Sequence, residues 1–290
     1  MEQLSGRVAV ITGAASGFGR EFARLGASLG MRLALADVEA DALARIVDEL
    51  REQGAEVFGE TIDVRHGEAV ERLALHTIER FGAAHVLFNN AGVGAGGSLW
   101  ETTERDWQWV LGVNLWGVIH GVRSFVPRML AQGDACHVVN TASVAGLLAP
   151  PGMGVYNVSK HAVVALSETL YQDLRQLGAP VGVTLLCPAF VPTGIAHSDR
   201  NRPDELRDPA PPTESMRAAQ RATEKAVSSG RIDAAQVARM TFDAIRENRF
   251  YVITHPNILP SVELRLHDVL AQRNPSDPYT YKPRLAQRAQ

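Results

Sequence analysis

A tyrosine and a lysine four positions apart, Tyr156 and Lys160, have the residue types and the spacing for proton transfer. They lie in a pattern that predicts a helix over residues 155–177, in which side chains four apart project from one face. A free phenol has a pKa of about 10, which is too high for a base at neutral pH. A cation nearby would favour the phenolate and lower that pKa, so that Tyr156 could serve as a general acid/base.

The lysine is unusual for this chain, which has three lysines, Lys160, Lys225 and Lys282, and otherwise uses arginine. An ammonium is compact and its pKa shifts readily, so it suits a position beside a phenol better than a guanidinium does. Ser143 follows a strand pattern thirteen residues before the tyrosine and could donate to a substrate oxygen. A half-buried helix tyrosine without a chemical role is the alternative for Tyr156 alone, but the three residues together favour catalysis.

A glycine-rich stretch near the amino terminus could hold a phosphate group. Residues 12–19 are TGAASGFG, which directly follow a strand pattern and open a helical one. Glycines there let the backbone approach a diphosphate, and the first N–H groups of the helix attract negative charge. A tight turn and helix cap without a ligand is the alternative. Asp37 at the end of the second strand pattern favours a dinucleotide site.

Asp37 also indicates which dinucleotide the site would take. Its carboxylate can accept hydrogen bonds from both ribose hydroxyls of an adenosine, and its charge would repel a 2′-phosphate. No Lys or Arg occurs at positions 14–16, or immediately after Asp37, to bind such a phosphate. NAD is therefore favoured, with NADP as the alternative.

Seven short β-branched runs alternate with helical patterns from residue 7 onward. Strands separated by helices imply right-handed crossovers and a parallel sheet with helices on both faces. We therefore expect a single α/β domain over residues 1–290, a doubly wound Rossmann fold of about seven strands. The predicted strands lie at 8–11, 33–36, 57–62, 86–88, 138–139, 181–186 and 251–253.

Two stretches depart from this alternation. Residues 194–230 contain the charged, proline-rich segment SDRNRPDELRDPAPPT at 198–213, which has few core-forming residues. A solvated insertion and a lid are both compatible with it, because long loops inside domains are often functional. We treat residues 194–230 as a substrate-loop insertion. Residues 274–290 carry three prolines and are expected to form a surface tail.

Composition argues against several classes of function. The 290 residues carry 29 basic and 32 acidic side chains, so nothing indicates binding to nucleic acid or to an anionic membrane. No apolar run approaches the ~18 residues of a spanning helix, and the start MEQLSGRVAV does not resemble a cleaved signal. Cys136 and Cys187 lack metal-ligand spacing, and the nine histidines form no HxxxH motif, so no metal is expected. A cytoplasmic protein with reduced thiols is predicted.

Further motifs accompany the glycine stretch and the tyrosine–lysine pair. They are DV at 63–64, NNAG at 89–92 and VNL at 113–115. Together with TGxxxGxG and YxxxK, they resemble the short-chain dehydrogenases/reductases, in the compact single-domain branch of that family. The likeness covers residues 5–195 and is weaker beyond.

The resemblance implies an oxidoreductase that interconverts a secondary alcohol and a ketone with NAD, the cofactor carrying the hydride. Tyr156 would exchange the hydroxyl proton with the substrate, and Ser143 would steady the carbonyl oxygen. Lys160 would keep Tyr156 ionisable and bind the nicotinamide ribose. Asn114 would hold a water in the path by which protons leave.

Sixteen residues would bind the cofactor by the same resemblance. Asp63 and Val64 would contact the adenine, and Asn90 would lie beside the adenosine ribose. The full set is Gly13, Ser16, Gly17, Phe18, Gly19, Asp37, Asp63, Val64, Asn90, Ala91, Gly92, Tyr156, Lys160, Pro188, Val191 and Thr193.

The segment after the sixth strand pattern departs from the family at one position. The family usually has Pro-Gly there, whereas this chain has Pro188-Ala189, which adds a methyl group where the chain passes the nicotinamide. Val191 and Thr193 still match the positions that hold the carboxamide.

A looser likeness bears on the substrate, and the family resemblance bears on assembly. Residues 112–130 and 250–258 are similar to a bacterial subgroup that includes Cα-dehydrogenases of lignin-type aryl ethers, which suggests a bulky or aromatic alcohol. Candidate substrate-wall residues, each of which could equally be core or subunit contact, are Ala145, Leu148, Met153, Phe190 and Trp100. The resemblance to the short-chain dehydrogenases/reductases implies a homodimer or homotetramer, and the residues that could fill its interface or pack within the chain are Trp107, Trp109, Val110 and Trp116.

Three other functions are compatible with parts of this pattern. An NADP-dependent carbonyl reductase would use the same site. A protein that senses NAD(H) without turnover would need the glycine stretch but not the full acid/base set. A lyase or epimerase would use NAD only transiently, without net redox change.

Overall fold

A seven-stranded parallel sheet is the framework of the computed structural model, which describes Met1 and residues 3–280. Its strands are β1 Val8–Thr12, β2 Arg32–Asp37, β3 Val57–Thr61, β4 Val86–Asn89, β5 Cys136–Thr141, β6 Val181–Cys187 and β7 Tyr251–Ile253. Their order is β3-β2-β1-β4-β5-β6-β7, with every pair parallel. The predicted fold class and strand number are confirmed. The order reverses beside β1, where ligands bind at the carboxyl ends of the strands in such sheets.

Nine α-helices connect or follow these strands in the described part of the chain. They are α1 Gly17–Ser28, α2 Ala40–Glu52, α3 Gly67–Phe81, α4 Glu104–Leu111, α5 Gly117–Gln132, α6 Gly154–Gln176, α7 Glu214–Ser228, α8 Ala234–Glu247 and α9 Leu259–Leu270. The helix that carries the tyrosine–lysine pair thus agrees with its predicted bounds to within one residue.

The helices cover both faces of the sheet because side chains of the central strands alternate between them. Ala9 and Ile11 of β1 pack toward α1, α2 and α8, whereas Val8 and Val10 pack toward α3, α5 and α6. All four are fully buried, and burying a side chain such as Ile11 contributes roughly 1.5–3 kcal/mol. The two apolar layers therefore hold the sheet rigid beneath its carboxyl edge.

The segment 194–230 is folded against the domain. It contains two 3₁₀ turns, Gly194–Asn201 and Asp204–Leu206, followed by α7. The Arg202 guanidinium donates to Asp106 of α4 at 2.7 Å and lies 5.1 Å from the Trp109 ring centre. These contacts anchor part of the stretch to α4, while most of its side chains remain exposed or half-buried, so its interpretation as a substrate loop stays a prediction. The expected tail is described only to residue 280, and its remaining residues lie outside the described ones.

The tryptophans offered as interface candidates differ in burial. Trp109 and Val110 lie in the chain's own core, where they pack with Val155. Trp107 donates its ring N–H to a side chain of the same chain, while about half of the Trp116 side chain is exposed. Intrachain packing therefore accounts for Trp109 and Val110. Among the described residues, no helix is long and apolar enough to cross a membrane.

Candidate active site

A cavity of about 790 Å³ opens at the carboxyl edge of the sheet. Segments that follow β1, β2, β4, β5 and β6 line it, as does the insertion. It contains Tyr156, Lys160 and Ser143, and all but one of the sixteen residues predicted to bind the cofactor. The exception is Gly19, the last residue of the glycine stretch, which packs against the Gly13 carbonyl and does not line the cavity. A more open groove beside Arg65 contains none of the predicted catalytic residues.

Helix α6 presents Tyr156 and Lys160 to this cavity from one face. The Lys160 ammonium lies 5.6 Å from the centre of the Tyr156 ring and donates to the Thr141 carbonyl oxygen at 2.9 Å. The lysine side chain is only 3% exposed. The end of β5 therefore fixes the ammonium beside the phenol ring.

The pKa values of the pair differ from the expectation. Burial lowers the pKa of Lys160 to about 8. Burial raises the pKa of Tyr156, and the Ser143 hydroxyl offsets part of that increase. The predicted net lowering of the phenol pKa by the lysine is wrong for this structure, because removing the phenolate from water outweighs the favourable groups near it.

Ser143 begins the 3₁₀ turn Val144–Gly146, directly after β5. Its Oγ accepts from the Ala145 N–H at 3.1 Å and donates to the Pro188 carbonyl oxygen at 3.3 Å. Because the loops after β5 and β6 both hold it, the hydroxyl has a fixed place on the cavity wall, on the same side as Tyr156.

Asn114 lies just behind the cavity wall, in a π-helical turn, Gly112–Trp116, between α4 and α5. Such turns inside helices are frequent at functional sites. The Asn114 side chain accepts from the Val93 N–H at 2.8 Å and donates to the Val93 carbonyl at 2.9 Å and Ser159 Oγ at 3.1 Å. A Cβ at Gly92 would lie within 4 Å of both Asn114 Oδ1 and Lys160 Nζ. Asn114 is therefore close to the pair, but its side-chain amide is already engaged.

The glycine stretch forms a cradle that larger residues would fill. Gly13 has φ +65°, and a Cβ there would lie 2.8 Å from the Ala91 Cα. A Cβ at Gly19 would collide with the Gly13 carbonyl oxygen. Ser16 precedes the first turn of α1, and its side chain makes no capping hydrogen bond. The free N–H groups at this helix start, facing an open cavity, fit a diphosphate.

Asp37 joins the glycine stretch to the end of β2. Its Oδ2 accepts from the Ala15 N–H at 2.8 Å, and its Oδ1 accepts from the Glu39 N–H at 3.0 Å. Burial raises the pKa of this carboxyl, and the two backbone donors oppose that increase. Each oxygen keeps a lone pair that a ribose hydroxyl could use.

The expected adenine contact Asp63 follows β3, beside β2, and the expected ribose contact Asn90 follows β4, on the other side of β1. Asp63 pairs with Arg65, whose Nη2 is 2.7 Å from Oδ2. The Asn90 amide donates to the Thr12 carbonyl at 3.0 Å and the Gly13 carbonyl at 3.3 Å. The Thr12 hydroxyl accepts from the Asn90 and Ala91 N–H groups. These polar links hold the ends of β1 and β4 together under the cavity.

The loop after β6 closes the cavity near the glycine stretch. A Cβ at Gly17 would lie 3.4 Å from the Thr193 Cβ, so the two segments are in contact. Val191 and Pro188 also line the cavity. The Ala189 N–H donates to Thr254 Oγ1 at 3.3 Å, which ties this loop to the one after β7. The alanine that departs from the family is thus accommodated in an anchored loop.

Four of the five candidate substrate-wall residues lie together. Ala145, Leu148, Met153 and Phe190 line the cavity beyond the tyrosine. Trp100 does not line it, and its side chain is 86% exposed. The wall near the catalytic residues is therefore mainly apolar.

Helix α7 of the insertion covers this apolar part of the cavity. A Cβ at Gly96 would lie 2.8 Å from the Ala219 Cβ, so the helix packs directly on the segment after β4. Gln220 and Val227 of the same helix line the cavity. No motif marks these residues in the sequence.

Other lining residues also escaped sequence analysis. They are Arg200 and Asn201 in the insertion, His255 after β7, and Tyr279 near the carboxyl terminus. Each is far along the chain from the recognised motifs. His255 lies inside the segment 250–258, whose likeness to aryl-ether dehydrogenases was the one available signal.

Comparisons with known proteins agree with this geometry. A family model described as short chain dehydrogenase matches residues 7–204. A crystal structure of a short-chain dehydrogenase/reductase from Burkholderia phymatum in complex with NAD has 62% identity and a TM-score of 0.95, and the match covers 96% of this chain and 99% of that one.

Two curated relatives span nearly the whole chain. A CLA biosynthesis dehydrogenase/reductase of Lactiplantibacillus plantarum is 33% identical over 279 residues, 95% of this chain and 97% of its own. A C alpha-dehydrogenase of Sphingobium is 32% identical over 283 residues, 96% and 90% of the two chains.

Proposed function

The chain belongs to the short-chain dehydrogenase family, whose members act on hydroxyl groups, and we propose that it interconverts a bulky secondary alcohol and a ketone with NAD. One observation carries this proposal. A single cavity at the switch point of the sheet is lined by Tyr156, Lys160 and Ser143 together with the glycine cradle and the Asp37 carboxylate.

The residues that would hold NAD follow from the cavity. The cradle at 13–19 would bind the diphosphate, and Asp37 would accept from the adenosine ribose. Asn90, Val191 and Thr193, which line the same cavity, would hold the rest of the cofactor. When bound, the nicotinamide would carry the hydride that the substrate loses or gains. The complex of the Burkholderia phymatum relative with NAD supports this choice over NADP.

Tyr156 would transfer the proton. Because its pKa is raised, the phenol keeps its proton at neutral pH and can donate it to a ketone oxygen during reduction. Oxidation needs the phenolate, so its rate should rise with pH. Lys160, with a pKa of about 8, would stabilise that phenolate by its charge while protonated.

Ser143 and Asn114 would orient the reacting groups. The Ser143 hydroxyl is fixed by Ala145 and Pro188 on the cavity wall, where it could turn to donate to the substrate oxygen. Asn114, which lies close to Lys160, would help to hold a water in the path by which protons leave. Since its amide is engaged with Val93 and Ser159, a water there would bind its backbone or a neighbouring group.

The apolar wall supports a bulky or aromatic substrate. Leu148, Met153 and Phe190 can bury an apolar body while the carbinol faces Tyr156. The similarity to the C alpha-dehydrogenase of Sphingobium, which extends over 96% of this chain, accompanies the looser sequence likeness on which the choice of an aromatic alcohol rests.

The proposal is tested by supplying aliphatic, aryl and steroid secondary alcohols with NAD or NADP and following the absorbance of reduced nicotinamide. Steady reduction of NAD with a bulky alcohol is expected. Faster turnover with NADP would instead favour the carbonyl reductase. Nucleotide binding with no net redox change for any substrate would favour a sensor, a lyase or an epimerase.

Self-assembly is a further part of this proposal. Trp116 is half exposed beside His120, and the apolar side chains of Leu266, Val269 and Leu270 project from α9. Exposed apolar clusters of this kind are typical of subunit interfaces. We expect a homodimer or homotetramer, which light scattering after gel filtration would measure; a monomer at micromolar concentration would contradict it.

A further inference from the structure

The insertion reaches across the cavity to the nucleotide end of the sheet. Arg200 donates from Nη2 to Glu39 Oε1 at 2.6 Å, and Asn201 donates to the same oxygen at 2.8 Å. All three residues line the cavity together with Asp37. An arginine that follows β6 therefore lies at the end of β2, where local sequence contained no cation.

Arg200 is held from its own loop as well as by the acid. Its Nη1 donates to the Gly194 carbonyl at 3.2 Å and to the His197 carbonyl at 2.8 Å. A guanidinium bound by carbonyls on one side and a carboxylate on the other keeps its place if the carboxylate is neutralised. The hydrogen bond from Arg200 also holds the pKa of Glu39 below its usual range, so Glu39 is charged at neutral pH.

Glu39 is adjacent to the carboxylate assigned to the ribose. Its backbone N–H donates to Asp37 Oδ1 at 3.0 Å, so the two acids share one end of β2. Glu205 of the insertion lies 3.3 Å from Arg65, which follows β3, the neighbour of β2 in the sheet. The insertion thus contacts the segments that follow both β2 and β3.

We propose that the insertion takes part in the choice between NAD and NADP. Arg200 could bind a 2′-phosphate, but its ion pair with Glu39 neutralises its charge in the native chain. This rests on the proposed function, because it assumes that Asp37 faces the adenosine ribose. A 2′-phosphate beside Asp37 meets two carboxylates and one guanidinium in the native chain. Removing the Glu39 charge leaves one carboxylate, Asp37, and one guanidinium, Arg200, so the repulsion between the phosphate and the site falls.

The test measures binding of ADP-ribose and 2′-phospho-ADP-ribose by calorimetry, with Glu39→Gln, Arg200→Met and the double variant. These probes lack nicotinamide, so the result does not depend on turnover of any alcohol. Glu214→Gln is the matched control, because Glu214 pairs with Arg217 in the same insertion but outside the cavity.

Glu39→Gln should shift the affinity ratio toward 2′-phospho-ADP-ribose by about tenfold. Adding Arg200→Met should return the ratio to near its native value, and Glu214→Gln should leave it unchanged. A ratio within twofold of native in Glu39→Gln, or no reversal in the double variant, would overturn the proposal. If neither probe binds the native protein, that result contradicts the proposed function itself, and it is distinguishable from a failure of the Arg200 proposal alone.

Discussion

The Lys160 ammonium lies 5.6 Å from the centre of the Tyr156 ring, one helical turn away. The pKa of the amine is lowered to about 8 and that of the phenol is raised, both because of burial. The two groups are thus both less charged than they would be in water. The Ser143 hydroxyl favours the charged form of the phenol, and the Thr141 carbonyl accepts a hydrogen bond from the ammonium. Shifted pKa values of two groups in one cavity are typical of catalytic sites.

Replacing Lys160 by arginine keeps the charge but should abolish turnover. The lysine is 3% exposed and hydrogen-bonded to Thr141, so a larger planar cation cannot take the same place. We expect kcat/KM to fall at least about a hundredfold. Lys225→Arg, at an exposed position on α7, is the control and should retain activity. An arginine variant with native activity and an unchanged pH–rate profile would exclude phenol tuning by the amine.

Removing the Lys160 charge should stabilise the protein while inactivating it. The unfolded lysine keeps its proton to about pH 10.5 and the folded one releases it near pH 8, so burial of the ammonium opposes folding below pH 8. This difference in pKa between the folded and unfolded lysine corresponds to about 3 kcal/mol of lost stability. Replacing the lysine also removes its hydrogen bond to the Thr141 carbonyl, which reduces the gain. Lys160→Met should therefore raise the free energy of unfolding at pH 7 by about 1–3 kcal/mol.

The pH dependence of this gain in stability tests whether it comes from the loss of a buried charge. The advantage of Lys160→Met should shrink between pH 8 and pH 10, because the native lysine becomes neutral in the folded state over that range. Urea unfolding at pH 7 and pH 10 measures it. An advantage that is absent at pH 7, or that grows with pH, is incompatible with a buried, charged amine.

Substitution of Asp37 by alanine should narrow the preference for NAD over NADP. The variant removes a charge that would repel a 2′-phosphate, and it also removes the acceptor of the Ala15 N–H. We expect the ratio of kcat/KM values to fall about tenfold, with a lower melting temperature. Kinetics with both cofactors check the prediction. If the native protein already prefers NADP, the assignment of Asp37 is wrong.

Phe190 should determine the affinity for bulky substrates. Its ring lines the cavity beside Ala189, so Phe190→Ala should raise KM for an aryl alcohol about tenfold and leave cofactor affinity unchanged. Trp100→Ala is the matched control, because that exposed ring does not line the cavity. Equal effects of the two substitutions on KM would place the substrate elsewhere.

The local sequence pattern was sufficient to predict those features that depend on residues close together in the chain. The strand–helix alternation predicted the sheet, and four-residue spacing predicted that Tyr156 and Lys160 share a face. The net pKa of Tyr156 was not predictable, since it depends on burial by segments distant in sequence. Arg200 was missed for the same reason: it is 161 residues from Glu39, and only the fold of the insertion brings them together.

The most direct test of the account is the turnover of Tyr156→Phe with NAD and a bulky secondary alcohol. Removing one oxygen deletes the proton donor and preserves the ring, so kcat should fall about a thousandfold while NAD binding stays within about threefold. Tyr171→Phe, on the same helix but packed against Phe250, should be unaffected. Activity of Tyr156→Phe within about tenfold of native would contradict the role of this phenol in the reaction.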